Sequence, residues 1–270
     1  MSVPVRLALQ GGGAKLYALL GSLCALQVLE SKGIIEVKEV AGTSAGAIAG
    51  ALFAARIPMA DVREWLHTSQ SAVRLATPVR KAKNMSSVEK VFRAFWRKAW
   101  IPEQALRDAL DGMFGLGNLK PQMTRLSEFR PPNRIPFRSS ATDLTNGRLV
   151  QHQEDIYLSE ALCQSAGLPF VLKTPTSANK EMVDGGICEN LPSSFFEPRG
   201  HPVAAITFAP GAQQGLEKTP NYALALLTAA MDHSVQRARD SLGIHNVCVV
   251  PTCLGLLDFD RYLGVWSSVE

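Results

Sequence analysis

The five residues Gly42-Thr43-Ser44-Ala45-Gly46 constrain this chain more than any other stretch. The run before them, Glu36 to Ala41, reads as a strand. The run after them, Ala47 to Ala55, is apolar, rich in alanine and free of helix breakers except Gly50. G-x-S-x-G therefore falls where a strand turns sharply into a helix, the setting of a nucleophile elbow. Such a turn lifts the serine oxygen out of the sheet, and small flanking residues let the backbone pass close by. The helix that follows brings the positive end of its dipole to the serine. Alone, the motif has a plain second reading, a glycine-rich turn with a solvated serine.

The rest of the chain repeats the strand-then-helix order. Val5 to Gln10 reads as a strand, Gly11-Gly12-Gly13 as a turn, and Leu16 to Ser31 as a helix stopped near Gly33. Strand-like runs return at Ile135 to Ala141 and Arg148 to His152, joined by the hairpin signal Thr145-Asn146-Gly147. Tyr157 to Ala166 reads as a short helix, and a short strand leads into Asp184-Gly185-Gly186. Val203 to Phe208 is a buried-strand run, Tyr222 to Leu242 a long helix and Asn246 to Pro251 a last strand. The alternation predicts one α/β domain over 1–270, with a mostly parallel sheet covered on both faces. At 46% apolar and 19% charged residues the chain can build a sizeable core. A net charge of +4 does not argue for nucleic acid as partner.

The five cysteines lack tight metal spacing; Cys24, Cys163 and Cys248 lie in apolar runs and read as buried, reduced thiols. No metal site and no cofactor is implied. The N-terminus runs straight into a strand without a leader's apolar core and cleavage site. The uncharged stretch Val40 to Ala55 is too short and too weakly apolar to span a membrane. A cytoplasmic or peripheral-membrane location is expected, with export by a route without a cleaved signal also compatible.

Three motifs share one expected place, the carboxyl edge of the sheet, where ligands of such folds bind. They are Gly11 to Lys15 (GGGAK), the elbow, and Asp184-Gly185-Gly186. A serine hydroxyl is a weak nucleophile at neutral pH and needs a base. Asp184 can take its proton directly, provided burial raises its pKa or a strong hydrogen bond aligns the pair. The triglycine turn presents successive N–H groups at a helix start, suited to an oxyanion. It lacks the G-x-x-x-x-G-K-[ST] spacing of a nucleotide-binding loop.

This set resembles the patatin-like phospholipase family. GGGAK at 11–15, GTSAG at 42–46, DGG at 184–186, SEALCQSAGLPFVLKTP before DGG and ENLP after it carry the likeness. The hairpin from Ala141 to Gly147 carries it too. The resemblance implies a three-layer α/β/α fold and a Ser44–Asp184 dyad. It implies an oxyanion hole from Gly11, Gly12 and Gly13, with Lys15 supporting that loop and Gly42, Gly46, Gly185 and Gly186 as motif support. The implied reaction is acyl-ester hydrolysis through an acyl-enzyme, on phospholipid or another acyl lipid. An acyltransferase or thioesterase with the same dyad, and a membrane-associated signalling or effector module, are the alternatives. One departure is Leu16, where family members often carry glycine. Of the five histidines, none falls in a motif of the kind that completes a hydrolase triad. His152 and His245 read as structural, and a dyad is preferred, with a neighbouring histidine left open by the spacing.

The stretch 61–132 changes character and reads as a helical cap or lid insert. Between Ala76 and Ile101 it holds seven Lys or Arg and the single acid Glu89. Phe92, Phe95, Trp96 and Trp100 recur at helical spacing among Arg93, Arg97 and Lys98. This is the pattern of a basic amphipathic helix with aromatic anchors, suited to a membrane interface or to capping the domain.

Overall fold

The structure is a computed structural model, and it describes residues 2–70, 99–173, 176–177, 180–209, 219–252 and 254–256. The side chains of residues 100, 176–177 and 219–224 are not described. Strand β1 is Val3–Leu9, helix α1 Leu16–Ser31, strand β2 Ile35–Gly42, helix α2 Ala45–Ala54 and helix α3 Met59–Thr68. Strand β3 (Ala99–Ile101) and helix α4 (Glu103–Gly115) follow, then β4 (Phe137–Asp143), β5 (Arg148–Gln151) and helix α5 (Leu158–Ser165). Next come β6 (Phe170–Leu172), β7 (Thr176–Ser177), β8 (Lys180–Asp184) and the short helix α6 (Gly186–Glu189). Strand β9 (Val203–Phe208), the long helix α7 (Thr219–Leu242) and strand β10 (Val247–Val250) complete the order.

The sheet runs β10-β9-β1-β2-β4-β8-β7, with β5 also paired to β4. From β10 to β4 every pairing is parallel, whereas β5 and β8 pair antiparallel with β4. Side chains alternate across it, as the strand period of two requires. Leu7, Leu9, Val40, Ile206 and Phe208 enter the main core beneath α1, α2, α4 and α5. Ala8, Ala41 and Ala205 face the other way, against Leu191, Phe195, Phe196 and the α7 residues Val235 and Ala238. Helices thus cover both faces of a mixed, mostly parallel sheet. All ten residues of α2 are buried, which suits a helix apolar on every side.

At the hairpin the Asp143 carboxylate accepts the Asn146 N–H at 3.1 Å and its Nδ2 at 2.7 Å. The side-chain hydrogen bond from Asn146 holds that carboxyl below the usual range. The flanks of the 61–132 stretch are core elements. Met59 and Val62 of α3, and Leu106, Leu110, Met113 and Phe114 of α4, join the main core. Phe92, Arg93, Phe95, Trp96, Arg97 and Lys98 lie outside the described residues. Trp100 does not continue a helix as its spacing suggested, nor does Ala99 before it. They stand in β3, which pairs parallel with β6, and a strand partner remote in sequence overrides local periodicity. Cys163 is buried and Cys24 partly so, but Cys248 is exposed: among the described residues β10 is an edge strand, so its apolar run does not mark a core position. No helix among the described residues is long and apolar enough to cross a membrane.

Candidate active site

Strand β2 ends at Gly42, and the chain turns through Thr43 and Ser44 into α2 within two residues. Ser44 takes φ 56° and ψ −126°, a conformation that a residue with a side chain rarely adopts. Backbone strain of this kind costs about 1–3 kcal/mol and must be held by its surroundings. Three bonds hold it. The Ser44 N–H donates to Ser165 Oγ at 3.0 Å, the Ser44 carbonyl accepts the Ala47 N–H at 2.9 Å, and Gly46 N–H donates to Thr43 O at 2.8 Å. Gly42 and Gly46 have no room for a side chain: a Cβ would come within 2.7 Å of Ala47 N at the first and of Gln10 O at the second.

Ser44 Oγ donates to Asp184 Oδ2 at 2.6 Å, and both residues are buried. The other oxygen, Oδ1, accepts the Gly186 N–H at 2.8 Å. Asp184 does not reach this place as the carboxyl end of a parallel strand. Strand β8 is antiparallel to β4 and pairs Asp184 with Ala141. Strand β4 in turn pairs Ser139 with Gly42 of β2 and then continues past it. Ala141 lies two residues beyond Ser139, as Ser44 lies two beyond Gly42. Asp184 therefore descends to the height of Ser44 against the direction of β4. Hydrophobic patterning marks a strand without giving its direction, which is why the sequence misplaced the reason while placing the residue.

Burial pushes the Asp184 carboxyl up from 3.8 to about 6, while the bonds from Ser44 and Gly186 pull it down. A carboxyl with that value is ionised at neutral pH and basic enough to take a proton. His152 is half-buried and lies away from the pair. Its Nδ1 meets Ser139 Oγ at 2.9 Å and its Nε2 meets Gln164 Oε1 at 3.2 Å. Burial lowers its pKa to about 4, so the imidazole is neutral. His67 meets the Tyr17 hydroxyl, and no histidine among the described residues bonds to Ser44 or Asp184.

The triglycine loop divides its labour. The Gly11 N–H donates to the Asn190 carbonyl at 2.9 Å and is not free for a ligand. Among the described residues no acceptor takes the N–H groups of Gly12, Gly13 or Ala45. Ala45, the residue after the serine and the first of α2, is a donor that sequence reading passed over although the elbow itself implies it. Gly13 has φ 53°, and the Leu256 carbonyl rests on it while accepting the Ala14 N–H at 3.0 Å. Lys15 packs its stem against Gly12 and holds its ammonium over the Phe208 ring, 5.2 Å from the centroid. Burial lowers the Lys15 pKa, opposed by the charge of Asp232 on α7; burial raises that of Asp232, opposed by Lys15.

Two further residues, Ser165 and Asn190, were not legible as site residues. Ser165 ends α5, accepts the Ser44 N–H through Oγ and accepts the Gly185 N–H through its carbonyl at 3.3 Å. It ties the elbow to the acid turn. At Gly185 a Cβ would come 2.6 Å from the Ser140 carbonyl, so that turn lies flat on β4.

The family model of the patatin-like phospholipases matches residues 7–196, which contain every motif named above. The chain belongs to the patatin-like phospholipase family. It is 28% identical over 242 residues to the uncharacterised protein YqhO of Bacillus subtilis, covering 82% of this chain and 77% of that one. It is also 28% identical over 190 residues to an uncharacterised NTE family protein of Mycobacterium bovis, covering 70% of this chain and 44% of the relative. Among solved structures, VipD of Legionella pneumophila is similar at a TM-score of 0.48 and 16% identity, over 97% of this chain and 66% of that one. ExoU in its complex with SpcU, of Pseudomonas aeruginosa, is similar at 0.44 and 21% identity, over 89% of this chain and 52% of that one.

Proposed function

We propose that this patatin-like protein is a serine lipid acyl hydrolase, phospholipase A-like, working through Ser44 and Asp184. The observation that carries the reading is the buried 2.6 Å hydrogen bond from Ser44 Oγ to Asp184 Oδ2 at a strained elbow. Family membership supports the substrate class, an acyl ester of a lipid.

Asp184 takes the hydroxyl proton as Ser44 Oγ attacks the ester carbonyl. The tetrahedral oxyanion is met by the N–H groups of Gly12, Gly13 and Ala45. Each such donor is worth roughly 10²–10³ in rate. Protonated Asp184 then gives its proton to the leaving alkoxide, so the alcohol departs and an acyl-Ser44 ester remains. Water attacks that ester with Asp184 again as base, releasing the fatty acid and restoring the serine. The α7 face beside the site places Met231 against Gly186, near Leu168 and Val171, an apolar lining consistent with an acyl chain.

Activity requires ionised Asp184, so kcat/KM rises with pH through about 6. The test is product analysis on phosphatidylcholine and phosphatidylglycerol vesicles with wild type and Ser44→Ala. Free fatty acid and lysophospholipid from wild type alone is the expected result. Equal release by Ser44→Ala refutes the reading, and transfer to an added alcohol without free acid refutes hydrolysis.

A further inference from the structure

Asn190 lies one residue past α6 and is 2% exposed. Its main chain is fully engaged. The carbonyl accepts the Gly11 N–H at 2.9 Å, and the N–H donates to Ser234 Oγ of α7 at 3.0 Å. Its side chain is not: Oδ1 is buried and accepts no hydrogen bond from the described residues. A buried acceptor without a donor costs stability, so packing alone gives no reason for an amide here.

The surroundings of Oδ1 do. A Cβ on Gly11 would be driven into Asn190 Oδ1 and would come within 2.9 Å of Ser44 Cβ. A Cβ on Gly186 would come within 2.6 Å of the same Oδ1 and 3.0 Å of Asp184 Oδ1. The amide is thus wedged between the first glycine of the GGGAK loop and the second of the DGG turn. It lies beside both members of the dyad. Which end of the amide faces the carboxylate is a matter of a half-turn about its last bond. The neighbouring residue extends the same bridge: the Glu189 carbonyl accepts Thr43 Oγ1–H at 3.1 Å.

We propose that Asn190 is a positioning residue of this site: its carboxamide fixes the spacing between the glycine loop that meets the oxyanion and the turn that carries the base. The proposal rests on Ser44 being the nucleophile and Asp184 its base. It accounts for two glycines at once, since both positions must stay bare to admit the amide. Among the titratable groups on the elements packed around it are Asp184 on β8, Lys15 beside the glycine loop, Asp232, His233, Arg237, Arg239 and Asp240 on α7, and Cys188 and Glu189 on α6. Among the described residues no charge contributes to the shift of Asp184. A second carboxyl placed at 190 would be the first.

The experiment compares wild type with Asn190→Asp, Asn190→Leu and Asn190→Ala. It reads the rate of Ser44 labelling by an alkyl fluorophosphonate from pH 5 to 9, and kcat and KM on a p-nitrophenyl acyl ester. Thermal midpoints report folding. Asn190→Asp keeps the shape and is expected to move the acid limb of labelling upward by about one unit or more, with rate regained at high pH. Asn190→Leu and Asn190→Ala are expected to lower kcat at least tenfold with KM within threefold. An acid limb and kcat unchanged in the folded variants overturn the proposal. No labelling of wild type overturns the nucleophile itself, and the proposal with it. Labelling without any lipolysis overturns only the substrate reading.

Discussion

Replacing Asp184 by asparagine separates what this residue costs from what it does. The carboxyl is fully buried, and burial raises its pKa from 3.8 to about 6. A folded-state pKa above the unfolded value means that the folded chain holds the proton more tightly. Stability is then unaffected below about pH 4, falls as pH rises from about 4 to 6, and stays low above that. At about 1.4 kcal/mol per unit, the ionised carboxylate costs about 3 kcal/mol at pH 8. Asparagine keeps the shape, can still accept the Gly186 N–H and carries no charge. Asp184→Asn should therefore match wild type near pH 4 and exceed it by about 2–3 kcal/mol at pH 8, while hydrolysis falls about 10²–10⁴-fold. Urea unfolding followed by circular dichroism at pH 4, 6 and 8 measures the difference. A stability difference independent of pH between the two proteins would refute the reasoning, because the cost would then not be that of a buried charge.

His152 predicts the opposite slope. Its folded pKa lies at about 4, below the usual 6.5, so its contribution is intact above pH 6.5 and lost as pH falls towards 4. His152→Gln should unfold less readily than wild type at pH 4 relative to pH 7.5, by about 2–3 kcal/mol in the difference, read from urea midpoints. Ser165→Ala deprives the Ser44 N–H of its acceptor. It should cost about 1–3 kcal/mol in stability and lower kcat about tenfold at unchanged KM, as steady-state kinetics will show.

Much of this architecture is legible in the chain because it is local. The span of α1, Leu16 to Ser31, follows from its apolar run and the Gly33 stop. The β4–β5 hairpin follows from Asn146-Gly147, whose glycine takes φ 63°. Gly-x-Ser-x-Gly specifies its elbow because only small residues fit there. What is not legible depends on partners far away in sequence. The direction of β8 is set by its pairing with β4, not by its own residues. Gly11 looks like a third oxyanion donor until Asn190, 179 positions later, takes its N–H. Ser165 is one serine among many until the fold places its Oγ under Ser44. Cys248 reads as buried because patterning does not show that β10, among the described residues, has a strand neighbour on one side only.

Ser44 and Asp184 lie 140 residues apart. During synthesis a ribosome adding about 5–20 residues per second takes on the order of ten seconds to travel that distance. Throughout that interval the nascent chain carries Ser44 without its hydrogen-bond partner. Strand β8 is also the penultimate strand on its side of the sheet, joined late and against the grain of its neighbour. The hydrogen-bonded pair therefore cannot exist until most of the domain has been made and closed. A product broken off before residue 184 carries Ser44 without Asp184.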